Sequence, residues 1–358
     1  HAPVFSVNRK LKQKVFVAIS GGVDSACSTA LMLKAGYDCS AIFMVTNDHA
    51  QLAQADAKKI ADHLGIKLYI LDFRENFAAV LAYFCGEYKK GRTPNPCVFC
   101  NRNIKFGKLW EFAKNNGADY MATGHYAQLI KSDTGPGLYV AKYAQKDQSY
   151  ALAMIDRAVL NHLILPLGTY RKPDVRGLAA EFGLGVGHKT DSQEICFVPD
   201  QNYIGVLEQR CPGLARAGNV IDSAGNIIGA HNGIHRFTIG QRRGLGIAKG
   251  KPIYVTAIDA QENTVTLGPK SELMDKGLVA TGVNWLTDPP TAPFKAKIKI
   301  RYNHPGQTGT VIPQSDAVMV QFDEPIAAIT PGQAAVFYVQ ENELSRMVGG
   351  AWIEKTID

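Results

Sequence analysis

Over residues 15–124 short apolar runs alternate with segments of helical spacing, and this alternation constrains the fold more than any other feature. Val15–Ile19, Ser40–Val45, Lys67–Phe73 and Tyr120–Gly124 read as strands, with Ser25–Ala35, Ala50–Leu64 and Ile104–Asn115 as the helices between them. Gly36, Gly65 and Gly117 stand where helices are expected to stop. Strand and helix in this order predict an α/β domain whose parallel sheet is covered on both faces. After about Pro199 the pattern changes to short alternating strands with turn signals such as "SAGN", "DAQEN" and "TPGQ". At 358 residues the chain exceeds one ordinary core. The expected division is an α/β catalytic domain over 1–204, a small mixed connector domain over 205–275, and a C-terminal β-barrel over 276–358. "TDPPTAP", Thr287 to Pro293, is either a linker or a proline-rich loop.

Composition removes several classes. With 46% hydrophobic and 20% charged residues, the chain is globular rather than disordered. It has no apolar run long enough for a membrane helix. Its opening "HAPVFSVNRKLKQK" has no secretion-type apolar core. Seven irregularly spaced cysteines then point to reduced thiols and a cytoplasmic protein, and Cys27, Cys39, Cys85 and Cys211 read as small buried hydrophobes. The net charge of +7 permits an acidic partner.

The first strand ends in "SGGVDS", Ser20 to Ser25. Glycines at a strand-to-helix turn let backbone approach an anion closely, and the helix N-terminus points its N–H groups at it. Ser20 and Ser25 add hydroxyl donors, and Asp24 is suited to a metal ion beside a phosphate. The turn lacks both the lysine of G-x-x-x-x-G-K-[ST] and the third glycine of G-x-G-x-x-G, so neither common nucleotide motif applies. A tight βα turn with a serine cap is the plainer alternative, and the complete hexapeptide favours phosphate.

Chemistry of a second kind comes from the cysteines. Cys97 and Cys100 lie in "GRTPNPCVFCNRNIKFG", and Cys196 lies in "KTDSQEICFVPD". Lys89, Lys90, Arg92, Arg102, Lys105 and Lys108 surround the first pair against one acid, Glu87, and cations favour the nucleophilic thiolate. The pair lacks a second C-x-x-C or C-x-x-H, so structural zinc is the lesser reading. A third signal is "KAKIKIRY", where strand period two puts Lys295, Lys297, Lys299 and Arg301 on one face and an apolar set on the other. A solvated outer sheet face is the plainer reading; like charges on one face also repel, a cost that an anionic partner such as RNA would relieve. Arg242, Arg243, Lys249 and Lys251 in "GQRRGLGIAKGK" add to the basic surface.

"SGGVDS" resembles the pyrophosphate loop of ATP pyrophosphatases, which adenylate a substrate oxygen. Together with "TPNP..CN..IKF", "ATGHYA", "KDQSYAL", "DSQEICF", "TIGQRRGLGI" and "ITPGQAAVFY", it makes nearly the whole chain similar to the tRNA-specific 2-thiouridylase family. This resemblance implies an adenine-nucleotide hydrolase-like α/β domain and ATP-dependent 2-thiolation of the wobble uridine, position 34, of tRNA. It implies ATP contacts from Ala18, Ile19, Ser20, Gly21, Gly22, Val23, Asp24, Ser25, Met44 and Gly124, with Mg2+ accompanying the nucleotide. Cys196 would carry persulfide sulfur from a donor protein, and Cys100 would release it, forming a disulfide with Cys196. Asn95, Pro96 and Cys97 would face the base; Lys146, Asp147, Gln148, Arg301 and Tyr302 would touch tRNA. The family often has aspartate at the position of Cys97, which leaves the general base unassigned. It also leaves Cys97, Cys100 and Cys196 as an alternative iron–sulfur ligand set; the persulfide route is preferred. "VTNDH", after Met44, looks shorter than the family's usual polar insertion. The competing readings are a small-molecule ATP pyrophosphatase and a non-enzymatic RNA-binding module, neither of which uses every motif.

Overall fold

A computed structural model describes residues 12–48, 50–133, 135–186, 195–198, 202–247 and 250–357. The opening residues 1–11, the Lys189–Glu194 part of the Cys196 motif, its Pro199 and Asp200, and Lys249 lie outside the described residues. Two compact units emerge. One comprises His1–Ala78, Phe99–Gln193 and Gln340–Met347; the other comprises Ala79–Val98, Glu194–Val339 and Val348–Asp358.

In the first unit, β1 (Lys14–Ala18), α1 (Val23–Lys34), β2 (Asp38–Val45), α2 (Gln51–Leu64) and β3 (Lys67–Asp72) follow the predicted alternation within two residues. Next in this unit come a π-helix (Asn101–Leu109), α5 (Trp110–Asn115) and β4 (Tyr120–Ala122), where a single helix over Ile104–Asn115 had been expected. The hairpin β5 (Gln128–Ser132) and β6 (Gly135–Tyr139), then β7 (Leu163–Ile164) and α6 (Lys172–Glu181), complete it. β1, β2, β3, β4 and β7 form one parallel sheet in the order β3-β2-β1-β4-β7, with Val17 opposite Ala41 on one side and Ala122 on the other. β1 therefore lies where the chain switches direction across the sheet, so the segments leaving β1 and β4 flank one crevice. Val15, Phe16 and Val17 are fully buried, as a central strand covered on both faces requires. Cys27 packs with Ala26, Ala30, Val175 and Ala179, which fastens α6 to α1.

Helices α3 (Arg74–Lys89) and α4 (Pro96–Cys100) precede the π-helix; α3 was not anticipated. The second unit contains α7 (Tyr203–Arg210) and the strands β8 (Gly218–Asp222), β9 (Ile227–His231), β10 (Tyr254–Asp259) and β11 (Thr264–Gly268). These four strands form a sheet ordered β10-β11-β8-β9, turned at "SAGN" and "DAQEN" as the sequence indicates. The last strands are β12 (Met274–Trp285), β13 (Phe294–Lys299), β14 (Gln307–Pro313), β15 (Ala317–Ala327), β16 (Ala334–Glu341) and β17 (Leu344–Ile357). They run in the order β12-β15-β14-β13-β16-β17, and β17 pairs back with β12, closing the barrel. Its interior is Leu278, Ala280, Ile298, Val320, Phe337 and Ile353, all fully buried. "TDPPTAP" joins β12 to β13, so it is a barrel loop rather than a linker.

Two expectations are corrected here. Cys85 and Cys211 form a disulfide, with Cα atoms 5.7 Å apart, instead of standing as separate buried thiols. Spacing could not show it, because 126 residues separate them. Both sit in a satellite core of Phe84, Tyr88, Leu207 and Leu214. Cys27 and Cys39 are buried as expected, and burial pushes each thiol up to about 12. Secondly, β13 ends at Lys299, so Arg301 and Tyr302 occupy the following turn and do not continue the strand face.

Candidate functional site

The turn after β1 is shaped by contacts that only some of its residues can satisfy. Gly21 has φ +76°, and a Cβ there would lie 2.6 Å from the Ala53 carbonyl oxygen on α2. Gly124, just after β4, presses its backbone on the start of α1: a Cβ would come within 3.0 Å of Asp24 C and Ser25 N. The structure thus brings Gly124 to the Ala18–Ser25 segment, while Met44 stands near the end of the adjacent strand β2. Gly22 caps α1 at φ −96°, and its Cβ would meet nothing nearer than Ser20 Oγ at 3.4 Å.

The serines are used differently from one another. Ser25 is buried; its Oγ accepts from the Ser20 N–H at 3.0 Å and donates to the Gly22 carbonyl at 3.1 Å. That hydroxyl holds the loop's shape. Ser20 is exposed, and its Oγ lies 3.2 Å from Ser25 Oγ. Val23, Asp24 and Ser25 open α1, where N–H groups lack intrahelical acceptors and the helix end is partly positive. A tight turn with this polarity, at the switch point of a parallel sheet, is built for an anion.

Asp24 faces two partners that the sequence did not reveal. Tyr126 donates its hydroxyl to Oδ1 at 2.6 Å, and Lys172 Nζ reaches Oδ1 at 2.8 Å and Oδ2 at 2.7 Å. Among the described residues no group of three or more His, Cys, Asp or Glu side chains is placed to hold a metal ion. Asp24 is matched to a lysine, so these residues do not by themselves make a Mg2+ site.

The "KDQSYAL" segment is organised from within. Tyr126 N–H donates to Gln148 Oε1 at 3.0 Å, and Gln148 N–H donates to the Tyr126 carbonyl at 2.7 Å. Asp147 is buried and accepts from Ala141 N–H, Ser149 N–H and Ser149 Oγ–H at 2.9, 3.1 and 2.9 Å. These two side chains fix the loop that carries the half-buried Lys146. His125 bonds to Thr123 Oγ1 at 2.8 Å; burial first, and Lys105 second, push its pKa down to about 3, so the imidazole is neutral.

The thiols are presented by anchored neighbours. Asn95 caps α4, its Oδ1 accepting from Val98 N–H at 3.2 Å, and Pro96 fills the first helical position. Pro96 and Val98 are buried whereas Cys97 is exposed and Cys100 half-buried. The preceding "GRTP" strap is gripped by the "TPGQ" turn: Thr93 N–H donates to the Pro331 carbonyl at 2.9 Å, and Gln333 Nε2 donates to the Thr93 and Pro94 carbonyls at 2.9 and 3.2 Å. Cys196 is exposed in a turn whose flanking Ile195 and Phe197 enter the satellite core, Phe197 standing edge-on to Phe84 at 5.3 Å.

The cationic surround of Cys97 and Cys100 is thinner than predicted. Lys90 pairs with Glu87 at 3.0 Å, Arg92 with Glu87 and Glu354 at 2.7 Å each, and Lys108 with Glu111 at 3.1 Å. Glu354 belongs to the last strand, 262 residues beyond Arg92, and could not be counted from local sequence.

The basic strand is exposed at Lys295 and Lys297 over buried Ala296, Ile298 and Ile300. Lys295 pairs with Asp323. Burial lowers the pKa of His304, and the charges of Arg301, Lys299 and Lys297 lower it further. The ring of Tyr302 is exposed. Arg242 and Arg243 are exposed.

Three family models match in succession: a tRNA methyl transferase HUP domain over 13–200, a tRNA methyl transferase PRC-barrel domain over 206–269, and an aminomethyltransferase beta-barrel domain over 275–353. The tRNA-specific 2-thiouridylase MnmA of Syntrophotalea carbinolica is 44% identical over 354 residues, covering 96% of this chain and 99% of that protein. That of Halothermothrix orenii is 43% identical, covering 91% and 95%. That of Carboxydothermus hydrogenoformans is 44% identical, covering 97% and 99%. Among the described residues no helix is long and apolar enough to cross a membrane.

Proposed function

Because the chain belongs to the tRNA-specific 2-thiouridylase family, we propose that it replaces the C2 oxygen of the wobble uridine, position 34, of tRNA with sulfur. One observation carries this reading. The same chain holds an anion-shaped turn at the switch point of its parallel sheet and carries the reactive-thiol candidates Cys196, exposed, and Cys100, half-buried. The matched domain descriptions speak of methyl transfer, whereas the relatives that match over nearly the whole chain are thiouridylases, and thiolation uses both features.

In the proposed sequence, Ala18–Ser25, Met44 and Gly124 bind ATP. The uridine C2 oxygen attacks the α-phosphorus, the bond to the bridging oxygen breaks, pyrophosphate leaves with the electron pair, and the uridine N3 proton passes to a base. Adenylation turns a poor leaving group into AMP. A persulfide on Cys196, supplied by a donor protein, attacks C2 through its outer sulfur and AMP departs. Cys100 thiolate then attacks Cys196 Sγ; the S–S bond breaks, its electron pair stays on the sulfur bound to C2, and a Cys100–Cys196 disulfide remains. Reduction by a thiol and a fresh persulfide restore the enzyme.

Asn95 and Pro96 hold Cys97 at the base, in this reading, and Lys297, Lys299, Arg301 and Tyr302 bind the tRNA backbone with Lys146. The expected partition into domains 1–204, 205–275 and 276–358, with a cytoplasmic site of action, belongs to the same proposal. Mg2+ would arrive with the nucleotide, and no step is routed through it or through an iron–sulfur cluster.

Anaerobic single-turnover thiolation, with pyrophosphate and 2-thiouridine measured by mass spectrometry, tests the reading. Cys100→Ser and Cys196→Ser should abolish thiolation but leave tRNA-dependent pyrophosphate release, and Cys97→Ser should retain both. Pyrophosphate release indifferent to tRNA would favour a small-molecule substrate. Stoichiometric iron lost together with activity in Cys97→Ser would replace the persulfide route with the cluster route.

A further inference from the structure

We infer that Lys172 is the phosphate-binding cation of the Ser20–Ser25 loop: it holds Asp24 in the nucleotide-free protein and turns to the β- and γ-phosphates when ATP binds. The inference rests on the ATP reading above. Pyrophosphate leaves carrying several negative charges, whereas a helix N-terminus supplies only about half a positive charge. The loop contains no lysine of its own. Lys172, from the first position of α6, places its ammonium 2.7 Å from the carboxylate at the second position of α1. A cation from a distant segment thus stands beside the helix start that the loop presents.

Its surroundings support a role beyond pairing. The Lys172 side chain is only 10% exposed, while Asp24 remains 33% exposed. Taking an ammonium this far from water beside a partly exposed carboxylate gives little net stability. The backbone beneath it is fixed: Arg171 N–H and Nε–H donate to Asp174 Oδ2 at 3.1 and 3.0 Å, and Cys27 Sγ–H donates to the Val175 carbonyl at 3.2 Å. Tyr126 donates to the same Asp24 Oδ1 and retains the carboxylate's position when the ammonium swings away. Four side-chain torsions let Nζ swing while its Cα stays still.

The competing account is that Lys172 only neutralises Asp24 and fastens α6 to α1. The full-length enzyme distinguishes them. Lys172→Met should slow tRNA-dependent pyrophosphate release about a hundredfold or more, the usual loss when a donor to developing charge is removed. Calorimetry should show ATP binding weakened about tenfold with AMP binding unchanged, because AMP lacks the phosphates that Lys172 meets. Lys172→Arg should recover part of the rate. The double variant Asp24→Asn/Lys172→Met removes both charges and should remain slow; recovery of the wild-type rate would overturn the inference. Equal loss of ATP and AMP affinity in Lys172→Met would overturn it too.

Wild-type protein gives an independent test that needs no variant to fold. ATP, and not AMP, should protect Lys172 from reductive methylation read by mass spectrometry; equal protection refutes the inference. If wild type neither binds ATP nor releases pyrophosphate, the ATP reading falls and takes this inference with it. If wild type does both and Lys172→Met matches it, the inference alone fails.

Discussion

Gly21 and Gly22 adjoin in the sequence, yet the structure assigns them opposite costs on substitution by alanine. At Gly21, φ +76° places alanine in the left-handed region, which costs about 1–2 kcal/mol. Its Cβ would also lie 2.6 Å from the Ala53 carbonyl oxygen, backbone that moves only if α2 moves. Overpacking of this kind costs about 1–3 kcal/mol. Gly21→Ala should therefore lose about 2–5 kcal/mol in urea unfolding. Gly22 has φ −96° and 3.4 Å of clearance to Ser20 Oγ, so alanine fits. There the lower entropy of the unfolded chain and the poorer helix cap each contribute less than about 1 kcal/mol, with opposite signs. Gly22→Ala should unfold within about 0.5 kcal/mol of wild type. Its methyl group would instead occupy the space through which a phosphate approaches the helix start, and ATP affinity should fall about tenfold or more. The decisive measurement is both quantities on both variants. A Gly21→Ala protein as stable as wild type would refute the steric reasoning. Unchanged ATP affinity in Gly22→Ala would remove the loop from nucleotide binding.

Two further expectations follow from charges. His125, pushed down to about 3, is neutral when folded, whereas in the unfolded chain it titrates near 6.5. Unfolding therefore takes up a proton below pH 6.5, and this group should cost stability by up to about 1.4 kcal/mol per pH unit as pH falls from 6.5 toward 3. His125→Gln should flatten that acid limb in unfolding measured from pH 7 to 5; an identical limb would refute the assignment. On the basic strand, Lys297→Ala and Lys299→Ala should each reduce the salt slope of tRNA binding by about 0.7–0.9, uniformly across tRNAs. Lys295→Ala should change it less, because Asp323 already offsets that charge; equal effects at all three positions would contradict the pairing.

What could be read from the sequence is what local order dictates. Period and punctuation located β1, β2, β3, α1 and α2 within two residues, because a central parallel strand needs a continuous apolar run and Gly36 and Gly65 must end helices at positive φ. "SGGVDS" was visible as a turn aimed at an anion, and "SAGN" and "DAQEN" as hairpin turns, since each depends on residues adjacent in the chain. α3 escaped because its aromatic-rich surface does not follow one apolar stripe: Tyr83, Phe84 and Tyr88 meet partners on different elements. Arg301 and Tyr302 continued the alternation by eye but left the strand, because the period of side chains does not determine where a ladder stops. The remaining decisions belong to tertiary structure. Cys85 meets Cys211 across 126 residues, Arg92 meets Glu354 across 262, and Lys172 meets Asp24 across 148. Each pairing brings together groups whose local sequence looks like an isolated thiol, a thiol-activating cation or a helix start. Burial and charge are properties of neighbours in space, and only the folded chain supplies those neighbours.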